Sequence, residues 1–201
     1  MKLYHSTFTR SGRARWMLEE LGVDYEIERI AFASGDHKKP EYLAIHPLGM
    51  VPALVDGDDK LFESSAILMH LADKFPDKQL APALGTPLRA RYYKFMVYVP
   101  ATVDPVLETI TMHTRMLPEA KRIPQLVEEA GKKLVRVARV LEEAVNGRSY
   151  VIGDTFSAAD IVVGSAIAWM GFVGKLGDFP RLNEYLKRMQ ARPAFVRAHA
   201  D

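Results

Sequence analysis

The chain has 201 residues, 48% apolar and 26% charged, with a formal net charge of +2. That length suits one large domain or two small ones, and so small a charge, its basic residues interleaved with acids, argues against nucleic acid. The absence of cysteine excludes a disulfide framework, a Cys-x-x-Cys redox pair, a thiolate metal site and a cysteine nucleophile together.

Residues 2–5 read as a short buried strand, followed by a polar turn at 6–12. In the next segment Ala14, Met17, Leu18 and Leu21 recur at helical spacing, with Ser11 placed to cap the helix and Gly22 to end it. Tyr25 to Ile30 alternates as a strand. This opening is a βαβ unit, which predicts a right-handed crossover and a parallel pair. A short helix near 41–45 precedes a strand over 50–56. A turn at 56–59 and a return strand at 60–62 follow. A helix from Ser64 carries Ile67, Leu68, Leu71, Ala72 and Phe75 and stops at Pro76. Three prolines and a glycine in 76–87 mark a linker. Beyond it strand signals vanish and helices are predicted at 88–116, 124–146, 157–171 and 179–191. Pro100 and Pro105 should kink or break the first of these. No stretch reaches the about 18 apolar residues of a membrane span, and no leader pattern precedes Met-Lys-Leu-Tyr. A cytoplasmic protein is expected, with no membrane partner.

Three segments carry possible chemistry. The loop Ser6-Thr-Phe-Thr-Arg-Ser11 holds four hydroxyls between the first strand and the first helix, at the strand end where α/β sheets bind ligands. A hydroxyl there can donate to a thiolate, with a helix N-terminus behind it. Lowering a thiol pKa from about 8.5 to about 6.5 needs about 2.7 kcal/mol of thiolate stabilisation, within reach of one charge-assisted hydrogen bond plus a helix end. Equally, Ser11 can serve as helix cap, and both roles fit one oxygen. Val51-Pro52 opens an apolar strand, where proline is unwelcome. A cis bond that turns the Val51 backbone outward is one reading, and an edge-strand trans proline is the commoner one. Glu63-Ser64 before a helix suits an ammonium and a carboxylate respectively, or is plain helix capping beside a solvated glutamate.

Elsewhere the signals are structural. Ser157-Ala-Ala-Asp160, flanked by Phe156 and Ile161, has the spacing of a capping box with a hydrophobic staple. The six histidines show no metal-ligand spacing, His37 and His46 included, and no Gly-rich phosphate loop exists. Tyr92, Tyr93, Phe95 and Tyr98, with Met96, Met112 and Met116, read as core before they read as a ligand box.

Taken in order, Arg15–Glu26, His46–Asp56, Leu61–Ile67, Gly153–Ile161 and the Phe179-Pro-Arg-Leu…Arg192-Pro-Ala-Phe195 segment resemble the soluble glutathione transferase family, bacterial and theta/beta-like, over nearly the whole chain. The resemblance implies a thioredoxin-like α/β domain at 1–78 and an all-helical domain at 86–201. It also implies a homodimer, and an enzyme that joins the glutathione thiolate to a small, hydrophobic electrophile without a metal. A non-catalytic regulatory relative is the alternative, as is a glutathione-dependent isomerase, dehalogenase or peroxidase. By resemblance the backbone of Val51 at Pro52 binds the cysteinyl part of glutathione, and Glu63 and Ser64 the γ-glutamyl part. Met50 stands where many relatives carry Lys or Gln, which removes one polar contact. Counting back without a gap places the theta-like serine on Phe8, which has no hydroxyl. A one-residue shift places it on Thr9, and classes with a later activating residue place it on Ser11. Ser11 is ranked ahead of Thr9, with Ser6 last.

Overall fold

The computed structural model describes residues 1–200. Its four strands, β1 (Lys2–His5), β2 (Glu26–Arg29), β3 (Ala53–Asp56) and β4 (Asp59–Phe62), form one mixed sheet in the order β2-β1-β3-β4. β1 pairs with β2 in parallel, as the βαβ opening requires, and with β3 antiparallel. Leu3 and Leu54 face each other across the central pair and are fully buried, so the apolar register fixes the pairing. Helices α1 (Ser11–Leu21) and α3 (Ser64–Lys74) supply Ala14, Met17, Leu18, Ile67, Leu68 and Leu71 to the same core. The short α2 (Pro40–Leu43) sits between β2 and β3 in sequence. This is the thioredoxin-like arrangement expected from the sequence.

All further helices follow β4 and α3: α4 (Pro87–Tyr98), α5 (Asp104–Thr111), α6 (Pro124–Ala144), α7 (Ala158–Phe172), α8 (Pro180–Gln190) and α9 (Pro193–Ala198). The stretch predicted as one helix over 88–116 stays helical from Pro87 to Met116, but its hydrogen-bond ladder changes along the way. A π-helical turn at Val99–Val103 contains Pro100, and α5 begins with Asp104 and Pro105. Each proline removes an N–H from the helical ladder, which accounts for the change at Val99–Val103. Tyr92, Phe95 and Met96 are core, while Tyr93 and Met116 are exposed.

The chain forms two compact units, one of Met1–Ala81 with the chain from Gln190 onward, the other of Pro82–Met189. In the first, α9 closes on α1. Trp16 meets Phe195 edge-on at 4.9 Å, and Arg192 forks onto Glu20 at 2.6 and 2.8 Å. In the second, α7 is apolar nearly all round, and the Ser157/Asp160 capping box forms in full. Asp160 also accepts from the Val151 amide at 2.8 Å and the Tyr185 hydroxyl at 2.7 Å. Burial raises the Asp160 carboxyl above the usual carboxylate range, and its hydrogen bonds pull the other way. No helix of the described residues is long and apolar enough to cross a membrane.

Two expected caps are corrected. The N-cap of α1 is Arg10 and that of α3 is Glu63. Ser11 and Ser64 are each the first helical residue. A capping side chain must come from a residue just outside the helix whose oxygen can turn back to the first N–H groups. Ser11 and Ser64 lie inside that boundary, and their hydroxyls bond elsewhere.

Candidate functional site

Sheet order decides which loops meet. Tyr4 lies opposite Ala53, and Ala53 opposite Phe62. The residues that leave β1, enter β3 and leave β4 therefore share one edge of the sheet. These are His5 with the loop at 6–11, Val51-Pro52, and Glu63-Ser64. Both α1 and α3 start at this edge. In α1 the first amides are taken, Ser11 by Thr9 Oγ1 and Gly12 by the Thr9 carbonyl, whereas α3 opens after Glu63 without a side-chain cap, an N-terminus suited to an anion.

The hydroxyls of the first loop are wired together. Ser11 is wholly buried, and its Oγ lies 2.8 Å from His5 Nδ1 and 2.7 Å from Thr9 Oγ1 while accepting from the Ser6 amide at 3.1 Å. Thr9 is half-buried. Its Oγ1 donates to the Ser6 carbonyl at 2.7 Å and accepts from the Ser11 amide at 3.2 Å. Just before Thr9 in the loop, Phe8 is fully exposed at φ 58°.

At the start of β3 the Val51-Pro52 peptide is cis. The Val51 side chain packs with Ile30, Tyr42 and Ala53, so what remains of it for a ligand is its main chain. The preceding carbonyl, of Met50, accepts from the Tyr42 hydroxyl, while the Met50 side chain is exposed. Burial pushes the Tyr42 phenol up to about 12, so it stays a donor at any physiological pH. Gly49 makes the approach possible. Its φ is 61°, and a Cβ there would sit 2.3 Å from the His37 carbonyl oxygen.

After β4, Glu63 is exposed and held at φ 68°, ψ 110°, a region that costs a non-glycine residue about 1–3 kcal/mol. Ser64 is buried and accepts from Arg13 Nη1 at 3.5 Å, which ties α3 to α1. The hydroxyl of Ser65 beside it is buried without a partner. An orphaned buried hydroxyl costs about 1–3 kcal/mol unless a ligand satisfies it. His46 is buried. Its Nδ1 accepts from the Leu48 amide at 3.3 Å, and burial, ahead of the opposing pull of Glu63, keeps its pKa below the usual 6.5.

Residues 1–73 match the family model for the glutathione S-transferase N-terminal domain, and residues 124–188 that for the C-terminal domain. The chain is 34% identical over 166 residues to glutathione S-transferase F9 of Arabidopsis thaliana, which covers 80% of this chain and 76% of that protein. The chain belongs to the glutathione S-transferase family. It is thus an enzyme, a transferase that uses glutathione. It is also 31% identical to glutathione S-transferase 1 of Zea mays, over 100% of this chain and 96% of the other. Among solved structures, a glutathione transferase family member from Pseudomonas fluorescens with two glutathione bound superposes with a TM-score of 0.90. That pair shares 28% identity over 98% of this chain and 91% of that one.

Sheet order brings the residues singled out in the sequence to one edge, together with neighbours that no motif marked. His5, Arg13, Tyr42 and Ser65 gave no motif. A histidine closing a buried strand and a second serine after Glu63-Ser64 were the available signals.

Proposed function

We propose that the enzyme conjugates the glutathione thiolate to a small hydrophobic electrophile, with residues 1–78 binding glutathione and residues 86–201 carrying the second-substrate site. In this reading Glu63 accepts from the γ-glutamyl ammonium, while Ser64 and the uncapped amides of α3 receive the γ-glutamyl carboxylate. The main chain of Val51 at Pro52 pairs with the cysteinyl unit, and Met50 contributes its backbone but no polar side chain. Thr9 presents the hydroxyl that donates to the sulfur, and Ser11, being wholly buried, acts from behind it. The use of a hydroxyl is the theta-like element of this reading. The thiol proton leaves to solvent, the thiolate forms a bond to the electrophilic carbon, and the leaving group departs with its electron pair. Phe8, fully exposed beside Thr9, offers apolar surface to such a substrate.

The observation that carries this reading is the convergence of the uncapped N-terminus of α3, an exposed acid in a strained conformation, a buried unpartnered hydroxyl and the hydroxyl loop before α1 on one sheet edge. A ligand with one ammonium, two carboxylates and a thiol answers each of these groups. Calorimetric titration with glutathione tests it: the Glu63→Ala/Ser64→Ala double variant should lose at least tenfold in affinity, about 1.4 kcal/mol. Unchanged affinity in a folded variant removes the assignment. The protein is further proposed to act as a homodimer in the cytoplasm. Light scattering showing an active monomer at micromolar concentration contradicts the first point.

A further inference from the structure

The hydroxyl chain at the end of β1 has a third member that the proposed function does not use. His5 is buried, and its Nδ1 lies 2.8 Å from Ser11 Oγ, which in turn lies 2.7 Å from Thr9 Oγ1. The chain holds two hydroxyl protons, so the state of His5 Nδ1 decides where they point.

With Nδ1 bare, Ser11 spends its proton on the ring nitrogen. The 2.7 Å contact between Ser11 and Thr9 then needs a proton from Thr9. Thr9 could turn to a thiolate only by leaving two oxygens facing each other with none between them. With Nδ1 protonated, Ser11 accepts from the ring and from the Ser6 amide, which fills both lone pairs. Its proton has two acceptors, the Ser6 carbonyl at 3.0 Å and Thr9 Oγ1 at 2.7 Å. The shorter contact takes it, because two oxygens would otherwise face each other there with no proton between them; Thr9 Oγ1 also accepts from the Ser11 amide. The Thr9 proton is then free of the chain. It rests on the Ser6 carbonyl at 2.7 Å and can swing to a sulfur anion with no other bond broken.

We propose that His5 is a positioning residue that carries its proton on Nδ1 and, through Ser11, holds Thr9 as a hydrogen-bond donor to the glutathione thiolate. This rests on the reading of Thr9 given above. A donor whose own oxygen is doubly hydrogen-bonded is polarised along the chain, and the bond it gives is strengthened. His5 touches neither substrate nor sulfur, so its substitution should change the ionisation of bound glutathione more than its affinity.

The test is the thiolate absorbance of bound glutathione titrated with pH in the full-length protein. Thr9→Val should raise the thiol pKa by about one to two units, a ten- to hundredfold loss of thiolate at pH below it. His5→Leu should raise it by about one unit, with glutathione affinity within a factor of about three. His5→Asn, whose amide can place a donor where Nδ1 stood, should stay near the parent. In the Thr9→Val background His5→Leu should add nothing, because the two act as one unit. If His5→Leu does not fold, His5→Gln replaces it, since its longer side chain carries the amide past the Nδ1 position. A thiol pKa unchanged by removal of the His5 donor while Thr9→Val shifts it overturns the role of His5 alone. So does an equal shift in the leucine and asparagine variants. No shift in Thr9→Val overturns the hydroxyl reading itself. Nitrogen NMR of the His5 ring in the glutathione complex gives a second reading: a proton on Nδ1 is expected, and a bare Nδ1 refutes the proposal.

Discussion

Replacing Tyr185 by phenylalanine removes one oxygen from a wholly buried network. The carboxylate of Asp160 takes four donors: the Val151 amide at 2.8 Å and the Tyr185 hydroxyl at 2.7 Å on Oδ1, and the Ser157 amide at 2.8 Å and hydroxyl at 3.0 Å on Oδ2. Both Asp160 and Tyr185 have 0% exposure, so water does not replace the lost donor. A hydrogen bond to a charged group contributes about 1.5–3 kcal/mol. For a domain of about 150–250 residues each kcal/mol moves Tm by about 2–4 °C, so the variant should melt about 3–12 °C lower. Asp160→Asn should cost more, about 3 kcal/mol or above. Whichever oxygen becomes NH2, a backbone N–H then faces a donor, and only the hydroxyl beside it can turn to accept. Tyr185→Phe and Ser157→Ala share an acceptor group and should combine non-additively by at least about 0.5 kcal/mol. Urea unfolding and calorimetry at one fixed protein concentration measure this, since any oligomer makes stability concentration-dependent. A Tyr185→Phe loss below about 0.5 kcal/mol would refute the view that this network locks the start of α7.

Asp56, at the end of β3, is held by Lys74 at 2.6 Å and His70 at 2.9 Å, with the Lys74 bond the larger cause of a pKa below the usual 3.8. A depressed folded pKa stabilises above the unfolded value and loses that contribution as pH falls through the folded one. Stability measured by urea from pH 6 down should therefore fall less steeply below about pH 4 in Asp56→Asn than in the parent, and parallel curves would remove the ion pair from the account. Ser65→Ala deletes a buried hydroxyl with no partner in the free protein. It should leave unliganded stability unchanged or raise it by up to about 1 kcal/mol while weakening glutathione binding several-fold. Loss of stability with unchanged affinity would show that the hydroxyl serves the fold instead. Tyr42→Phe frees the Met50 carbonyl; it should cost about 1–3 kcal/mol of stability and raise the KM for glutathione more than it lowers kcat. An unaltered KM would mean that the Val51 main chain does not depend on that bond.

The caps show most clearly where local reading stopped. Ser11 and Ser64 occupy positions at which serine commonly caps a helix, and the residue type carried that expectation. Which residue caps depends on one dihedral pair: Glu63 takes φ 68°, and the helix begins one residue earlier than a serine cap requires. Ser64 then finds Arg13, 51 positions away, and Ser11 finds His5 at the end of the neighbouring strand. No short window of sequence contains the first approach, and the second, though only six residues long, needs the turn after β1 to fold back on the strand end.

Sequence alone determined what is periodic or locally punctuated. The helical faces of α1, α3, α6 and α7, the capping box at Ser157 and Asp160, the π-helical turn at Pro100, and the change from mixed α/β to all-helical after residue 76 rest on spacing and backbone chemistry within a few residues. Motif order along the chain carried the family as well. Tertiary structure decided what depends on distant groups meeting: the strand order that sets three loops on one edge, the packing of α9 on α1, the burial of Ser11, and the bond from Arg13 to Ser64. The physical reason is that a hydroxyl's chemistry is set by its partners within about 3 Å, and those partners are chosen by how the sheet and helices close, not by neighbours in sequence.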